Sequence, residues 1–395
     1  MKRRADVIFS VCFLAYLLIY TARLNLSMAA PELRSLAVLT TQQIGVLGGM
    51  FSVVYACGRL LSGRIADRTA PWKLICLGLA LCGLSNLCAG LLPPFPAFLL
   101  LWGVNAFAQS LLWGPILRMM SAIYPEQAAR QRASWLTGAV AAGSIVSILL
   151  SARLIGAWGA PGAFLVPGAL VLAVAPAMFL LTRAIRPQTP PQARSAGPVR
   201  RKDVLRMLPP ALIHGVMKDN VSLWMTVYVM DRFGTDLESS SGFILLIPLL
   251  GLVGRFLAPG LHRLCRSREA PLMALSFLCC AVSAAALALL PLRVWSAVLL
   301  LSLIYMATSV INSCLLAIFP LRFAQDGHVA AVSGIMDFAA YLSMGLSAMI
   351  YGAVIHAHGY VPMYLSWAIL SALALMLLVC RRGRPANSSE TGGHL

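Results

Sequence analysis

Tyr16-Leu-Leu-Ile-Tyr20-Thr-Ala-Arg23-Leu-Asn25-Leu-Ser27 places one cation inside a long apolar run, with Asn two positions later and Ser four positions later. The same spacing returns 195 residues further on, in Lys218-Asp219-Asn220-Val-Ser222. A charged side chain in hydrocarbon costs roughly a few kcal/mol or more unless it faces a polar cavity. Two such cations at matching places in two parts of the chain therefore predict a shared site for an anion.

The composition is that of a membrane protein. Of 395 residues, 59% are hydrophobic and 11% are charged, which is too little polar surface to cover a soluble globule of this size. The formal net charge of +18 comes from basic residues in short loops, and no basic domain with interleaved aromatic residues favours nucleic acid. The ten cysteines lack the spacing of a zinc site or of a disulfide framework. We expect no metal, no cofactor and no nucleic-acid partner.

Twelve apolar segments are each long enough to cross a bilayer. All are predicted to be α-helices, because the runs are too long and too little alternating for the strands of a membrane barrel. Lys2-Arg3-Arg4 precedes the first run as in a signal peptide, but no convincing cleavage site follows, so this run is interpreted as the first span. The segments cover residues 7–30, 44–61, 74–92, 97–123, 135–157, 163–181, 204–230, 242–261, 272–290, 294–319, 329–356 and 361–380.

The distribution of basic residues predicts the orientation. They concentrate at the two termini and in the loops after even-numbered segments, so both termini are expected in the cytoplasm of a multi-pass cell-membrane protein. The Pro-rich, basic stretch 182–203 is interpreted as a cytoplasmic linker. It separates an N-terminal six-helix half, 1–181, from a C-terminal half, 204–380, which is followed by a disordered cytoplasmic tail at 381–395.

The two halves repeat beyond the opening motif. Gly58-Arg59 matches Gly254-Arg255, and Tyr124-Pro125 matches Phe319-Pro320, at offsets of 195 to 200 residues. A collinear series of matches indicates a same-direction repeat of six spans. Transporters built in this way rock their halves about a site near the bilayer midplane.

Arg23 and Lys218 are the candidates for binding the anion. Arginine offers a planar fork for two substrate oxygens, and lysine offers a movable point charge. Tyr16 and Tyr20, one turn apart on the approach to Arg23, are candidates to donate hydroxyl groups, with aromatic packing as the alternative. For Arg23 itself, the alternative is a side chain that extends to the membrane surface.

Two carboxylates and one histidine lie well inside the segments and need partners. Asp219 is expected to neutralise Arg23 or a cation on a neighbouring helix, because adjacent residues on a helix point in different directions. Asp337 is interpreted as a counter-ion to Lys218 or a proton carrier, with a structural ion pair as an equal alternative for both aspartates. His214, one turn before Lys218, suits proton coupling, although a packing role is the stronger expectation.

The most specific short motif lies between the second and third segments. Gly63 allows two helices to approach, while Asp67 and Arg68 offer a hydrogen-bond acceptor and an ion-pair partner at the cytoplasmic gate. The motif Gly63-x-x-x-Asp67-Arg68 resembles the loop signature of the major facilitator superfamily, with Ala70 where that pattern has a second glycine.

A narrower resemblance follows from the opening stretch. Tyr16-x-x-x-Tyr20-x-x-Arg23-x-Asn25-x-Ser27-Met28-Ala29-x-Pro31, together with Asp67-Arg68-x-x-Pro71, resembles the organophosphate:phosphate antiporter family, which includes bacterial glycerol-3-phosphate and hexose-6-phosphate transporters. The resemblance implies an all-α fold of twelve transmembrane helices in two pseudo-symmetric halves. It also implies that Arg23 and Lys218 bind the phosphoryl group of the substrate.

The same resemblance implies further residues and two departures. The path of the substrate would be lined by Tyr16, Tyr20, Arg59, Gln109, Trp113 and Tyr341. Ala139 stands where the glycerol-3-phosphate transporter has a histidine, and Lys218, followed by Asp219, stands where it has an arginine.

The expected function is secondary active transport of a small anionic metabolite, an organophosphate in exchange for inorganic phosphate, by a monomer. Proton-coupled symport of organic acids remains open because of Asp219, Asp337 and His214. A transporter-like sensor of organophosphates remains open as well. An enzyme is not expected, because no catalytic, metal or nucleotide motif occurs at a plausible spacing.

Overall fold

The computed structural model describes residues 2–183, 201–265, 268–323 and 329–379. Most of the predicted linker and all of the predicted tail lie outside the described residues, so these boundaries stay predictions. The side chains of Gly63, Asp67 and Arg68 lie outside them as well. The backbone of this motif forms the last turns of a helix rather than a loop.

The described chain is almost entirely helical. The N-terminal half contains α1 (Lys2–Ser35), α2 (Thr41–Arg68), α3 (Pro71–Ala89), α4 (Phe95–Ser110), α5 (Trp113–Ile123) and α6 (Glu126–Thr182). The C-terminal half contains α7 (Arg201–Met217), α8 (Asn220–Phe233), α9 (Leu237–Ile244), α10 (Leu246–Leu264), α11 (Glu269–Leu289), α12 (Val294–Ser313), α13 (Val329–His358) and α14 (Val361–Val379). A π-helical turn, Cys314–Ile318, and a 3-10 turn, Phe319–Phe323, follow α12.

The helices account for all twelve predicted segments. Among the described residues, ten helical stretches are long and apolar enough to span a membrane. One of them, Gly138–Thr182, is 45 residues long and holds two predicted segments, because α6 bends sharply at Gly159. The segment 204–230 forms the two shorter helices α7 and α8, which are separated by Lys218 and Asp219.

Local sequence explains where several helices begin and turn. Thr40 and Gln43 form a capping box at the start of α2, in which each side chain accepts a hydrogen bond from the other residue's backbone N–H. Pro71 occupies the first turn of α3, where a missing N–H costs nothing. Gly159 has φ 68° and ψ −172°, a conformation that side chains with a Cβ rarely adopt. The bend in α6 therefore depends on glycine.

The two halves meet along α2 and α13. A Cβ at Gly45 would lie 2.7 Å from the Cα of Gly352 and 2.6 Å from the carbonyl oxygen of Ala348, so the backbones touch there. Small residues allow this approach, and close packing is what holds helices together in a bilayer. The contact line runs from this point to the middle of both helices, where the candidate site begins.

Candidate substrate-binding site

A cavity of about 910 Å³ lies between the two halves. Helices of both halves line it, including α1, α2, α8, α10, α12 and α13. The predicted site residues on its wall are Tyr16, Tyr20, Arg23, Arg59, Trp113, Lys218, Asp219, Asp337 and Tyr341. The structure thus brings together residues that are as much as 325 positions apart in the sequence.

Arg23 points into this cavity and not toward the membrane surface. Its Nη2 lies 3.3 Å from Oδ2 of Asp219, and its side chain is only 10% exposed. The guanidinium carbon lies 4.9 Å from the centre of the Phe51 ring and 5.0 Å from that of Tyr55. Aromatic faces attract a cation, and this attraction grows when water is excluded. The guanidinium is therefore held in one place by an ion pair and two rings.

Lys218 approaches the same region from the C-terminal half. Its Nζ lies 4.2 Å from the centre of the Tyr341 ring, and the Arg23 guanidinium lies 5.9 Å from the same centre. Lys218 occupies the break between α7 and α8, so it is positioned by a helix interruption. Among the described residues, no carboxylate forms an ion pair with it. Arg23 and Lys218, one from each half, thus flank a single aromatic ring.

Both predicted carboxylates form ion pairs that cross between the halves. Asp219 pairs with Arg23, one of the partners that the sequence allowed. Asp337 pairs with Arg59, with 3.4 Å between Oδ2 and Nη2, rather than with Lys218. The physical reason is helix contact, because α13 lies against α2 and Asp337 continues the line of contacts that begins at Gly45. The wall carries four cations and two carboxylates among the described residues.

Aromatic residues form a continuous group around the cations. Tyr16 contacts Trp113 and Tyr20, with ring centres 5.0 and 5.8 Å apart respectively. The ring centre of Tyr55 lies 5.0 Å from that of Tyr341, and its hydroxyl oxygen accepts a hydrogen bond from Arg59 Nη1 at 3.3 Å. These rings pack around Arg23, which is 10% exposed, more closely than around Arg59, which is 30% exposed.

Sequence reasoning missed two of these aromatic residues. Phe51 and Tyr55 both line the cavity and both face Arg23. They precede Arg59 at intervals of four residues, so all three lie on one face of α2. This four-residue spacing from Arg59 is the sequence feature that could have predicted Phe51 and Tyr55 as site residues.

Gln109 and His214 do not lie on the cavity wall. Gln109 is 1% exposed, and its Nε2 donates to the carbonyl oxygen of Ala22 at 3.3 Å and to Oδ1 of Asn105 at 3.1 Å. Gln109 therefore stabilises the backbone of α1 next to Arg23, on the side of the helix away from the cavity. His214 is fully buried, with Nε2 at 3.3 Å from Oδ1 of Asn312, which does line the cavity. Both side chains are turned into helix–helix contacts.

The asparagines of the repeated motif support their helices in both halves. Asn25 Nδ2 donates to Asn86 Oδ1 at 2.9 Å and to the carbonyl oxygen of Ala163 at 3.0 Å. Asn220 Nδ2 donates to Ser347 Oγ at 2.8 Å. Hydrogen bonds donated by buried amides in this way fix the position of a helix. Asn25 thus fixes α1 against neighbouring helices, whereas Asn220 bonds to α13 and also lines the cavity.

One end of the cavity is closed by contacts between the halves. Ser27 Oγ, from α1, donates to the carbonyl oxygens of Ser222 and Leu223 on α8, at 2.5 and 3.0 Å. Beyond this point, Arg34 Nη1 lies 2.8 Å from Asp231 Oδ2. The cavity wall continues toward the opposite end, where Leu117, Pro259 and Ile318 line it.

The ion pair at the closed end has a third member. Tyr360, in the turn between α13 and α14, donates its hydroxyl to Asp231 Oδ2 at 2.8 Å. Burial and the adjacent carboxylate raise the pKa of the Tyr360 hydroxyl, so the group stays protonated and keeps donating. The carboxylate of Asp231 on α8 therefore binds both α1, through Arg34, and the turn before α14, through Tyr360.

Comparison with known proteins identifies the family. The sequence model of the Major Facilitator Superfamily matches residues 12–348. The chain belongs to this superfamily. The match covers both halves and contains every residue placed on the cavity wall, so the all-α, two-half fold predicted from the sequence is confirmed.

The curated relatives match the narrower resemblance. The chain is 28% identical over 166 residues to a "Probable hexose phosphate transport protein" of Chlamydia trachomatis, an alignment that covers 42% of this chain and 36% of that protein. It is 26% identical over 274 residues to the "Membrane sensor protein UhpC" of Salmonella typhimurium, covering 62% of this chain and 61% of the relative. The chain therefore spans about one to two thirds of the length of the curated relatives it matches.

Solved structures share the fold over nearly all of the chain. A bacterial homologue of the human lysosomal transporter Spinster, in an inward-facing and unoccupied conformation, superposes with a TM-score of 0.76. The superposition covers 96% of each chain at 15% sequence identity. At this identity the comparison establishes the fold alone.

Proposed function

We propose that this protein is a secondary active transporter that exchanges a small organophosphate for inorganic phosphate by alternating access. The observation that carries the proposal is the net positive charge of the cavity wall. Among the described residues, the wall holds four cations but only two carboxylates, and the cations are Arg23, Arg59, Lys218 and Arg255. A low-dielectric cavity with excess positive charge favours an anionic guest. The similarity to the chlamydial "Probable hexose phosphate transport protein" supports a phosphorylated substrate.

Arg23 and Lys218 hold the phosphoryl group in this proposal. They flank Tyr341 from opposite halves, so an anion placed between them contacts both halves at once. A phosphoryl group that binds Arg23 competes with Asp219 for the guanidinium. Binding of the substrate thereby exchanges one contact between the halves for another, which couples binding to movement.

The positive charge of the cavity also favours exchange of one anion for another over one-way transport. A cavity that carries uncompensated cations is costly to move through a closed, dehydrated state, whereas an anion lowers that cost. The return step therefore proceeds fastest with a second anion bound, and inorganic phosphate fits the same cations. The protein acts in the cell membrane as a monomer, with both termini in the cytoplasm.

Two other functions are favoured by specific observations. Asp219 and Asp337 lie in the cavity, as a proton-coupled symporter of organic acids requires. The similarity to the membrane sensor protein favours an organophosphate sensor. A pH gradient that drives uptake without phosphate on the other side would indicate the symporter. A sensor-kinase partner combined with no net flux would indicate the sensor.

Counterflow in proteoliposomes tests the proposal directly. Vesicles preloaded with inorganic phosphate should accumulate radiolabelled glycerol-3-phosphate or hexose phosphate, and vesicles preloaded with sulfate-free, phosphate-free buffer should not. Uptake that ignores phosphate inside the vesicles would exclude exchange.

The Arg23→Gln variant tests the role assigned to the clamp. We expect loss of phosphate binding by at least about tenfold, because the neutral amide keeps some hydrogen bonds but removes the charge. Membrane insertion and the melting temperature should stay near those of the wild type. Arg183→Gln, at the exposed end of α6, is the matched control, and normal affinity in Arg23→Gln would refute the clamp.

A further inference from the structure

Arg255 is a cation on the cavity wall for which the sequence analysis assigned no role. It lies on α10, on the same face as Pro248 and Pro259, which also line the cavity. These positions are separated by one or two helical turns, so one side of α10 is directed toward the cavity. Arg255 is the counterpart of Arg59 in the sequence repeat.

The packing of α10 fixes the position of Arg255. A Cβ at Gly254 would lie 2.5 Å from the carbonyl oxygen of Met306, and a Cβ at Gly251 would lie 2.5 Å from the Tyr305 ring. α10 therefore touches α12 directly beside and one turn before Arg255. Tyr305 also lines the cavity, so Arg255 and Tyr305 belong to the same side of the site.

The ion pairs divide the four cavity cations into two groups. Arg23 and Arg59, on the N-terminal half, are paired with Asp219 and Asp337. Lys218 and Arg255, on the C-terminal half, have no ion-pair partner among the described residues. The Nε atom of Arg255 is also buried without a hydrogen-bond partner. Buried donors of a charged group are normally satisfied, and a guanidinium suits the two oxygens of a carboxylate.

We propose that Arg255 is a specificity-determining residue that binds a second anionic group of the substrate. This inference rests on the proposed function and narrows its substrate class to phosphorylated organic acids. The phosphoryl group lies between Arg23 and Lys218, and a carboxylate at the other end of the molecule binds Arg255. The substrate then provides Lys218 and Arg255 with the anionic partners that the described aspartates do not provide: the phosphoryl group contacts Lys218, and the carboxylate contacts Arg255. The cavity of about 910 Å³ has room for such a molecule.

Two probes of matched size test the inference in phosphate-loaded proteoliposomes. 3-Phosphoglycerate carries a carboxylate where glycerol-3-phosphate carries a hydroxymethyl group, and the phosphoryl ends are alike. Wild-type protein should exchange 3-phosphoglycerate with a KM about tenfold lower than that for glycerol-3-phosphate, since a charged hydrogen-bonded pair adds this much or more. A KM for glycerol-3-phosphate equal to or below that for 3-phosphoglycerate would overturn the inference without any variant.

The Arg255→Gln variant separates binding of the second group from a general effect of charge. We expect its KM for 3-phosphoglycerate to rise about tenfold, with the KM for glycerol-3-phosphate changed by less than about twofold. Equal changes for both probes, or no change for either, would overturn the inference. Arg255→Lys should retain part of the preference, and it serves if the Gln variant does not fold. Arg263→Gln, at an exposed position of the same helix outside the cavity, is the control.

The outcomes distinguish this inference from the proposed function. If wild-type protein exchanges both probes for phosphate but without preference, the function stands and the role of Arg255 falls. If neither probe is exchanged for phosphate but a hexose phosphate is, the function stands and the role of Arg255 falls. If none of the three is exchanged, the proposed function itself fails, and the assignment of Arg255 fails with it.

Discussion

Asp219 is the residue on which anion binding and the contact between the halves compete. Its carboxylate is 30% exposed and holds Arg23, which is 10% exposed, at 3.3 Å. A pair this close to a cavity is weakened by water less than a surface pair, but it also lowers the positive charge that a substrate meets. The same carboxylate thus steadies Arg23 and reduces its attraction for an anion.

Asp219→Asn should therefore bind inorganic phosphate more tightly. Removing the negative charge frees Arg23, and we expect the Kd to fall about fivefold, which corresponds to about 1 kcal/mol. Isothermal titration calorimetry on the purified protein measures this change. Asp203→Asn, at an exposed position near the start of α7, should leave the Kd unchanged. An unchanged or higher Kd in Asp219→Asn would show that Asp219 does not compete with the anion.

The sequence predicted which charged residues belong to the site better than it predicted their ion-pair partners. Arg23 and Lys218 stand out because a cation inside an apolar run needs a polar cavity, and that need is visible in the sequence. The partner of Asp337 was not visible, because it depends on which face of α13 meets α2. Gln109 was placed on the substrate path by resemblance alone, whereas its amide turns to the backbone of α1. Rotation of a helix about its axis is set by tertiary packing, which no single segment encodes.

At the scale of helices, the closed end of the cavity depends on the approach of α2 to α13. Gly45 and Gly352 leave no room for a side chain between the two backbones. The sequence predicted both helices, although α2 extends to Arg68, seven residues beyond the predicted segment 44–61. It did not predict this contact, because glycines occur at many positions of the spans and only a pair of facing glycines has this effect.

Gly45→Ala should impair closure of this end. The added Cβ would lie within 2.7 Å of the α13 backbone, and overpacking of this kind typically costs about 1–3 kcal/mol. The closed conformation is destabilised, so we expect the maximal exchange rate to drop about tenfold while phosphate affinity stays within about twofold. Rates in proteoliposomes test this. Gly156→Ala is the control, since its Cβ would meet no atom within 4 Å, and a wild-type rate in Gly45→Ala would contradict the importance of this contact.

At the scale of the whole molecule, the repeat explains why the site lies where it does. Each half contributes one cation at the same step of its sequence, and the two cations meet at Tyr341 between the halves. Arg34 from α1 and Asp231 from α8 meet at the closed end. Because these contacts join the two halves, the closed end can open only if they break, which is what alternating access requires of a closed end.

The orientation of the molecule decides which solution the cavity faces. If basic loops are cytoplasmic, the closed end with Arg34 and Asp231 faces outward and the cavity wall extends toward the cytoplasm. Leu290 and Arg268 flank α11 at its opposite ends and are both exposed. In a cysteine-free background, a membrane-impermeant maleimide should label Leu290→Cys in intact cells and Arg268→Cys only after permeabilisation. The reverse pattern would place the closed end in the cytoplasm and would invert the direction assigned to the cavity, because the positive charge of the loops would then not have set the topology.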